Sequence, residues 1–206
     1  MFSVSCIKYI PVWLAALLLV CALMPVSISQ SEQPGCFEIK NVSSELYALT
    51  PALPIVECLY LTKDDSPDEV DPGIVREGCM MPIYRRFIVG QDTDSRIISN
   101  AEQFRLTFAP VQSKEEALAF AVALTDSFAL YDTTVPEGYF KTASQVTPTY
   151  VEDTKEGYAV HLFEIQSCGC GSHPYYAVDY LVTGDGNVTE THREEVFNSN
   201  YSICVD

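Results

Sequence analysis

No Cys-x-x-Cys pair occurs anywhere in the 206 residues. A zinc knuckle and a thioredoxin-type redox centre both lack their usual spacing. A glycine-rich phosphate loop, a histidine pair at helical spacing and an internal repeat are also missing. No Ser/His/Asp or Cys/His constellation stands out for nucleophilic catalysis. Basic residues are scarce: 12 Lys and Arg stand against 28 Asp and Glu, a net charge of −16. Such a surface repels nucleic acid and anionic lipid. It suits an unknown protein partner, a cationic partner or divalent cations, and charge alone does not choose among these. No motif demands a cofactor, and an enzyme is the least supported class.

The first residues differ from the rest. Up to Ser29 they hold one basic residue, Lys8, and no acid. Val12 to Met24 is an unbroken apolar run of 13 residues, followed by Pro25 and Ser27-Ile28-Ser29. This is the layout of a cleaved secretory signal peptide, residues 1–29. A bilayer span needs about 20 apolar residues, so an uncleaved anchor is the alternative, and it would be the chain's only membrane contact. A lipidated Cys21 is disfavoured, because Val20 stands where a small residue belongs. Cleavage after Ser29 leaves residues 30–206, enough for a single exported domain. That domain has 11 basic and 28 acidic residues, a net charge of −17. Its expected destination is the secreted fraction, the cell envelope or the periplasm.

Six cysteines remain: Cys36, Cys58, Cys79, Cys168, Cys170 and Cys204. An even number in an exported chain reads first as a disulfide framework, and six allow 15 pairings. The stretch Cys168-Gly169-Cys170-Gly171-Ser172-His173-Pro174 also offers a second reading. Cys168, Cys170 and His173 could hold copper or zinc, with Cys204 or His161 completing the site. Metal binding needs thiolates, whereas export favours disulfides.

Residues 30–81 read as an irregular, cysteine-bearing segment with one short strand, Ile55 to Leu61. Asp64 to Gly73 holds five acids and reads as a solvated loop, since it lacks the glycine and terminal glutamate of a calcium loop. Residues 82–206 read as an α+β core. Pro82 to Val89 is β-branched and aromatic, hence a strand. Ser99 with Glu102, and Ser113 with Glu116, are capping boxes that start helices. The second helix is expected to run from Lys114 to Tyr131, apolar over most of its girth and therefore buried. Residues 132–150 look like a connection. Tyr158 to Ile165, Tyr175 to Thr183 and Val188 to Phe197 then form a three-stranded meander with an Asp185-Gly186 turn.

Centring the first hairpin between Cys170 and Gly171 sets His161 opposite Tyr180, Phe163 opposite Val178 and Ile165 opposite Tyr176. That face is expected to bury against the long helix, with His161 a structural histidine in or beside the core. The charged third strand belongs at the sheet edge. Its return brings Cys204 to the loop of Cys168 and Cys170. One of that pair should bond Cys204 and the other an N-terminal cysteine, with His173 on an exposed tip. Three sequons, Asn41-Val42-Ser43, Asn187-Val188-Thr189 and Asn200-Tyr201-Ser202, suit exposed positions in an exported chain.

A capped helix followed by a meander, with Tyr-x-Val-x-Tyr-x-Val-Thr before an Asp-Gly turn, resembles the PepSY and cystatin-like helix-plus-sheet modules. The resemblance spans about 95 residues, Ser113 to Phe197 with flanks. It implies a non-enzymatic protein, in some members one that restrains peptidases. The cystatin Gln-x-Val-x-Gly loop is absent, so no residue roles carry over. The expected fold is α+β, one long buried helix on an antiparallel meander. The expected function is a disulfide-stabilised, non-enzymatic binding or structural protein, an inhibitor among other options. The alternative is copper or zinc binding at the Cys168–Pro174 loop.

Overall fold

The computed structural model describes residues 35–62, 72–81 and 83–205. Residues 1–29, expected to be a signal segment, and most of the acidic run, Asp64 to Asp71, lie outside them. The described chain is mostly β, which overturns the expected long helix on a meander. Two five-stranded antiparallel sheets and a small two-stranded ladder are joined by two short helices.

The first sheet contains β1 (Glu38–Asn41), β2 (Ile55–Leu61), β3 (Val75–Arg76), β4 (Ile83–Val89) and β5 (Arg96–Ile98). Its order is β1-β2-β4-β3, with β5 also on β4. The segment expected to be irregular thus supplies three of its strands. Of these, Ile55–Leu61 is the expected strand; β1 and β3, with 4 and 2 residues, are too short to show alternation, and the Cys36–Cys58 disulfide fixes β1 on β2 where pattern alone could not.

Helix α1 (Ala101–Phe108) starts one residue later than its sequence signature suggests. Asn100 Oδ1 accepts from Gln103 N–H at 2.8 Å, and Gln103 Oε1 accepts from Ser99 N–H at 2.8 Å. Helix α2 (Lys114–Leu124) starts as expected, with Ser113 Oγ accepting from Glu116 N–H at 3.1 Å. It stops at Leu124, seven residues short of the expected end. Thr125, Asp126 and Ser127 explain the stop. Such side chains compete for the backbone groups that would continue a helix. Thr125 Oγ1 donates to Ala121 O at 2.6 Å and accepts from Ser127 N–H at 3.2 Å. Arg85, from β4, closes the end by donating to Val122 O at 3.2 Å and Thr125 O at 3.0 Å.

The second sheet has the order β6-β11-β10-β8-β7. Its strands are β6 (Tyr139–Lys141), β7 (Tyr150–Asp153), β8 (Gly157–Ile165), β10 (Tyr175–Thr183) and β11 (Val188–Ser199). The meander of β8, β10 and β11 is present, but its first hairpin is one residue out of the expected register. His161 faces Asp179, Phe163 faces Ala177 and Ile165 faces Tyr175. Gln166 N–H donates to Pro174 O at 3.0 Å and sets this pairing. A one-residue slip moves a strand's side chains to its other face. The face of β8 that joins the helical core is therefore Val160 and Leu162, with Val178, Tyr180 and Val182 of β10.

His161 and Phe163 point to the opposite face. There Phe163, Ala177, Val196 and Phe197 form a second cluster under Phe128, Leu130 and Tyr139. The expected connection is thus a cover for the sheet's second side. Phe128, expected in the helix, bridges Phe163 at the sheet margin instead. The edge expectation for β11 holds only for its charged first part, because Phe197–Ser199 pair with β6. The main core links both sheets. Phe87 of β4 meets Phe104 of α1 at 5.6 Å, and Phe104 meets Phe120 of α2 at 5.2 Å. Each ring is fully buried, worth about 1.5–3 kcal/mol in transfer free energy. Among the described residues no helix is long and apolar enough to cross a membrane.

Candidate binding surface at the disulfide-stapled end

The loop after β8 contains β9 (Gly169–Gly171), which pairs with β12 (Ile203–Val205) at the chain's end. Cys170 lies directly opposite Cys204 and bonds it. Cys168 bonds Cys79, which lies between β3 and β4. Two sulfurs one residue apart must face different partners, so the backbone between and beside them has to turn sharply. Gly169 at φ 95° and Gly171 at φ 130° adopt conformations that side chains disfavour. With Cys36–Cys58, the structure has three disulfides. They mark an oxidising environment outside the cytoplasm.

His173 is not on an exposed tip. It is 5% exposed. Its Nδ1 lies 2.9 Å from Gln166 O and its Nε2 3.3 Å from Ile203 O. Its backbone N–H donates to Ser199 Oγ at 3.2 Å. The ring thus joins the two strands that flank the loop to the returning tail. The burial comes from a segment some 30 residues later in the chain, which no local pattern announces. The three residues considered for copper or zinc are therefore placed close in the chain but engaged otherwise. Cys168 and Cys170 are in disulfides, and the His173 nitrogens face carbonyl oxygens. Among the described residues no group of three or more His, Cys, Asp or Glu side chains is arranged to hold a metal ion.

Among polar neighbours such as Gln166, Ser167 and Ser172, the stapled end presents large apolar side chains to solvent. Met80 and Met81 follow Cys79 directly and are 70% and 51% exposed. Ile203, the Cα partner of Gly171, is exposed as well. Covalent and ladder adjacency thus bring three apolar side chains to the ends of the same two disulfides. The sequence carries one signal for this, the Met80-Met81 pair beside a cysteine, but exposure could not be read from it.

Carboxylates lie beside this end. Arg85 donates to Glu77 Oε1 at 2.7 Å and lies 3.9 Å from both Glu57 and Asp126. Burial, then the Glu77 charge, pushes the Asp126 carboxyl up to about 6, against the pull of Arg85. Burial also raises Glu57. One cation thus serves three carboxylates and a helix end. Further along β8, Arg193 makes a two-pronged contact with Glu164 at 3.0 and 2.8 Å.

The only His–carboxylate pair bonded among the described residues is His161 with Asp179, Nδ1 to Oδ1 at 2.5 Å. Tyr150 stacks on the imidazole at 4.8 Å and Phe163 meets it edge-on. His161 Nε2 is buried with no hydrogen-bond partner. The ring is thus held on the sheet's second face between Asp179, Tyr150 and Phe163. No family model matches the chain, and neither a curated protein nor a solved structure matches it.

Proposed function

We propose that the chain is an exported, non-enzymatic binding protein, and that the stapled end is the face that meets its partner. The observation that carries this reading is the exposure of Met80 and Met81 next to a disulfide. A soluble protein gains nothing from holding two flexible apolar side chains in water, whereas a contact surface does. The disulfides lower the ordering cost of binding, because the loop is already fixed. Glu77 and Asp126 add negative charge near the same end, which favours a partner with basic and apolar groups together. A peptidase inhibitor, the role implied by the cystatin-like resemblance, is one form of this reading. The signal-like start and the disulfide framework support delivery to the secreted fraction or the cell envelope.

The test is retention of partners from the chain's own extracytoplasmic fraction, comparing the wild type with Met80→Glu/Met81→Glu. The variant should fold with an unchanged melting temperature and lose the retained species. Wild-type binding should weaken as salt rises. Equal retention by both proteins would place the contact elsewhere and sink the assignment of this surface.

A further inference from the structure

We propose that Asn41 and Asn200 are N-glycosylation sites and that Asn187, the third sequon, stays bare. All three have the acceptor pattern, so sequence gives them equal standing. The structure separates them by what each carboxamide does. Asn41 ends the edge strand β1 and is exposed. Ser43, its hydroxyl partner in the sequon, is exposed and makes no side-chain cap bond to the turn that follows. Asn200, Tyr201 and Ser202 are all exposed where the chain leaves β11. Neither Asn41 nor Asn200 has a side-chain hydrogen bond among the described residues, so both carboxamide nitrogens are free to react.

Asn187 is different. Its Nδ2 donates to Asp185 Oδ2 at 2.7 Å, and its Oδ1 accepts from Arg105 Nη1 of α1. The turn around it is closed by Gly186 N–H to Thr183 O at 2.8 Å and Thr183 N–H to Asn187 O at 3.0 Å. Gly186 lies so close to Phe120 that an added Cβ would sit 2.5 Å from the ring. The turn is therefore pressed on α2, and the Asn187 carboxamide is held at both ends, by Asp185 and by Arg105, where a sugar would have to fit. The turn is also local in sequence. Hairpins form in about 1–10 μs, so this sequon is folded away as soon as β10 and β11 are free to pair.

The chemistry is a transfer without redox change. The carboxamide nitrogen attacks the anomeric carbon of an oligosaccharide carried on a polyprenyl diphosphate. The carbon–oxygen bond to the diphosphate breaks, the diphosphate leaves as an anion, and the amide nitrogen loses one proton. The compartment is the oxidising, extracytoplasmic one that the disulfides mark. A glycan on Asn41 would also shield the outer edge of β1, which no strand pairs among the described residues.

The experiment is expression of the full chain through a eukaryotic secretory pathway, with intact mass and glycopeptide mapping of both medium and lysate. Two glycans are expected, on Asn41 and Asn200. Ser43→Ala and Ser202→Ala should each remove one glycan without unfolding the chain, because neither hydroxyl makes a hydrogen bond among the described residues. Thr189→Ala should leave both the glycan number and the melting temperature unchanged. A glycan on Asn187, or a bare Asn41 or Asn200, overturns the proposal. Removing glycans enzymatically in heavy-oxygen water marks each formerly occupied asparagine and reads the sites independently.

Discussion

His173 joins three parts of the chain: its ring meets Gln166 O after β8 and Ile203 O in the tail, and its backbone N–H donates to Ser199 Oγ at the end of β11. Replacing it with alanine removes a ring N–H donor facing these carbonyls and opens a buried space. His173→Ala should therefore lower stability by about 2 kcal/mol. A denaturant midpoint equal to the parent's would show that the ring is solvated instead. Asp126 gives a residue-scale prediction of opposite sign. Its carboxyl is half-exposed, yet burial and the Glu77 charge raise it to about 6. The folded state then holds this proton more tightly than the unfolded chain does. The ionised form opposes folding, so this group's penalty is absent below about pH 4, grows between about 4 and 6, and is full above that. The groups facing it are Glu77, Arg85 and Glu164. Asp126→Asn should raise the melting temperature at about pH 7.5, and the gain should vanish towards about pH 3. A lower melting temperature at the higher pH would show that Arg85 holds the carboxylate favourably after all.

At the scale of elements, the end of α2 depends on Arg85. Its guanidinium, 14% exposed, meets Glu77 and the carbonyls of Val122 and Thr125. Arg85→Met leaves those carbonyls and the Glu57, Glu77 and Asp126 carboxylates without their cation. The part-buried carbonyls lose a charged donor, and hydrogen bonds to charged groups are worth about 1.5–3 kcal/mol. Urea unfolding should show that loss, and Glu77→Gln in the Arg85→Met background should recover part of it. A loss under about 1 kcal/mol would mean that the helix end does not rely on this contact. The helix start was legible because its capping signature lies within four residues. Its end was not, because the apolar residues Phe128, Leu130 and Tyr131 continue the helical spacing after Thr125-Asp126-Ser127 has broken the backbone pattern. In the second sheet, alternation and the Asp185-Gly186 turn revealed β8, β10 and β11. The register of β8 on β10 slipped by one, because a loop tied to the tail need not have a hairpin's symmetry. In the first sheet β2 was legible at Ile55–Leu61, whereas β1 and β3 were hidden by brevity. For the candidate surface, the bonding cysteines were visible, whereas the exposure of Met80 and Met81 depends on tertiary placement alone.

At the scale of the molecule, the disulfides do unequal work. Cys36–Cys58 spans 22 residues within the first sheet, and Cys170–Cys204 spans 34 between β9 and β12. Cys79–Cys168 spans 89 and joins the first sheet to the second. Its loop contains both helices, so the sheets are coupled once through the aromatic core and once covalently. Closing a loop removes freedom from the unfolded chain, and more freedom for a longer loop. By that relation the bonds contribute about 3, 4 and 5 kcal/mol in order of loop length. Paired serine variants should follow the same order, with Cys79→Ser/Cys168→Ser losing most and Cys36→Ser/Cys58→Ser least. Non-reducing peptide mapping of the parent should first return these three pairings out of the 15 that six cysteines allow. Chemical denaturation of each variant then reads the order. If the Cys36→Ser/Cys58→Ser variant were the least stable, β1 would depend on its bond for native packing, and unfolded-chain entropy would not be the leading effect. If the expected order holds, the covalent tie between the sheets is the most stabilising of the three disulfides. Mild reduction should then loosen the stapled end that carries Met80, Met81 and Ile203, and the proposed partner binding should fall with it.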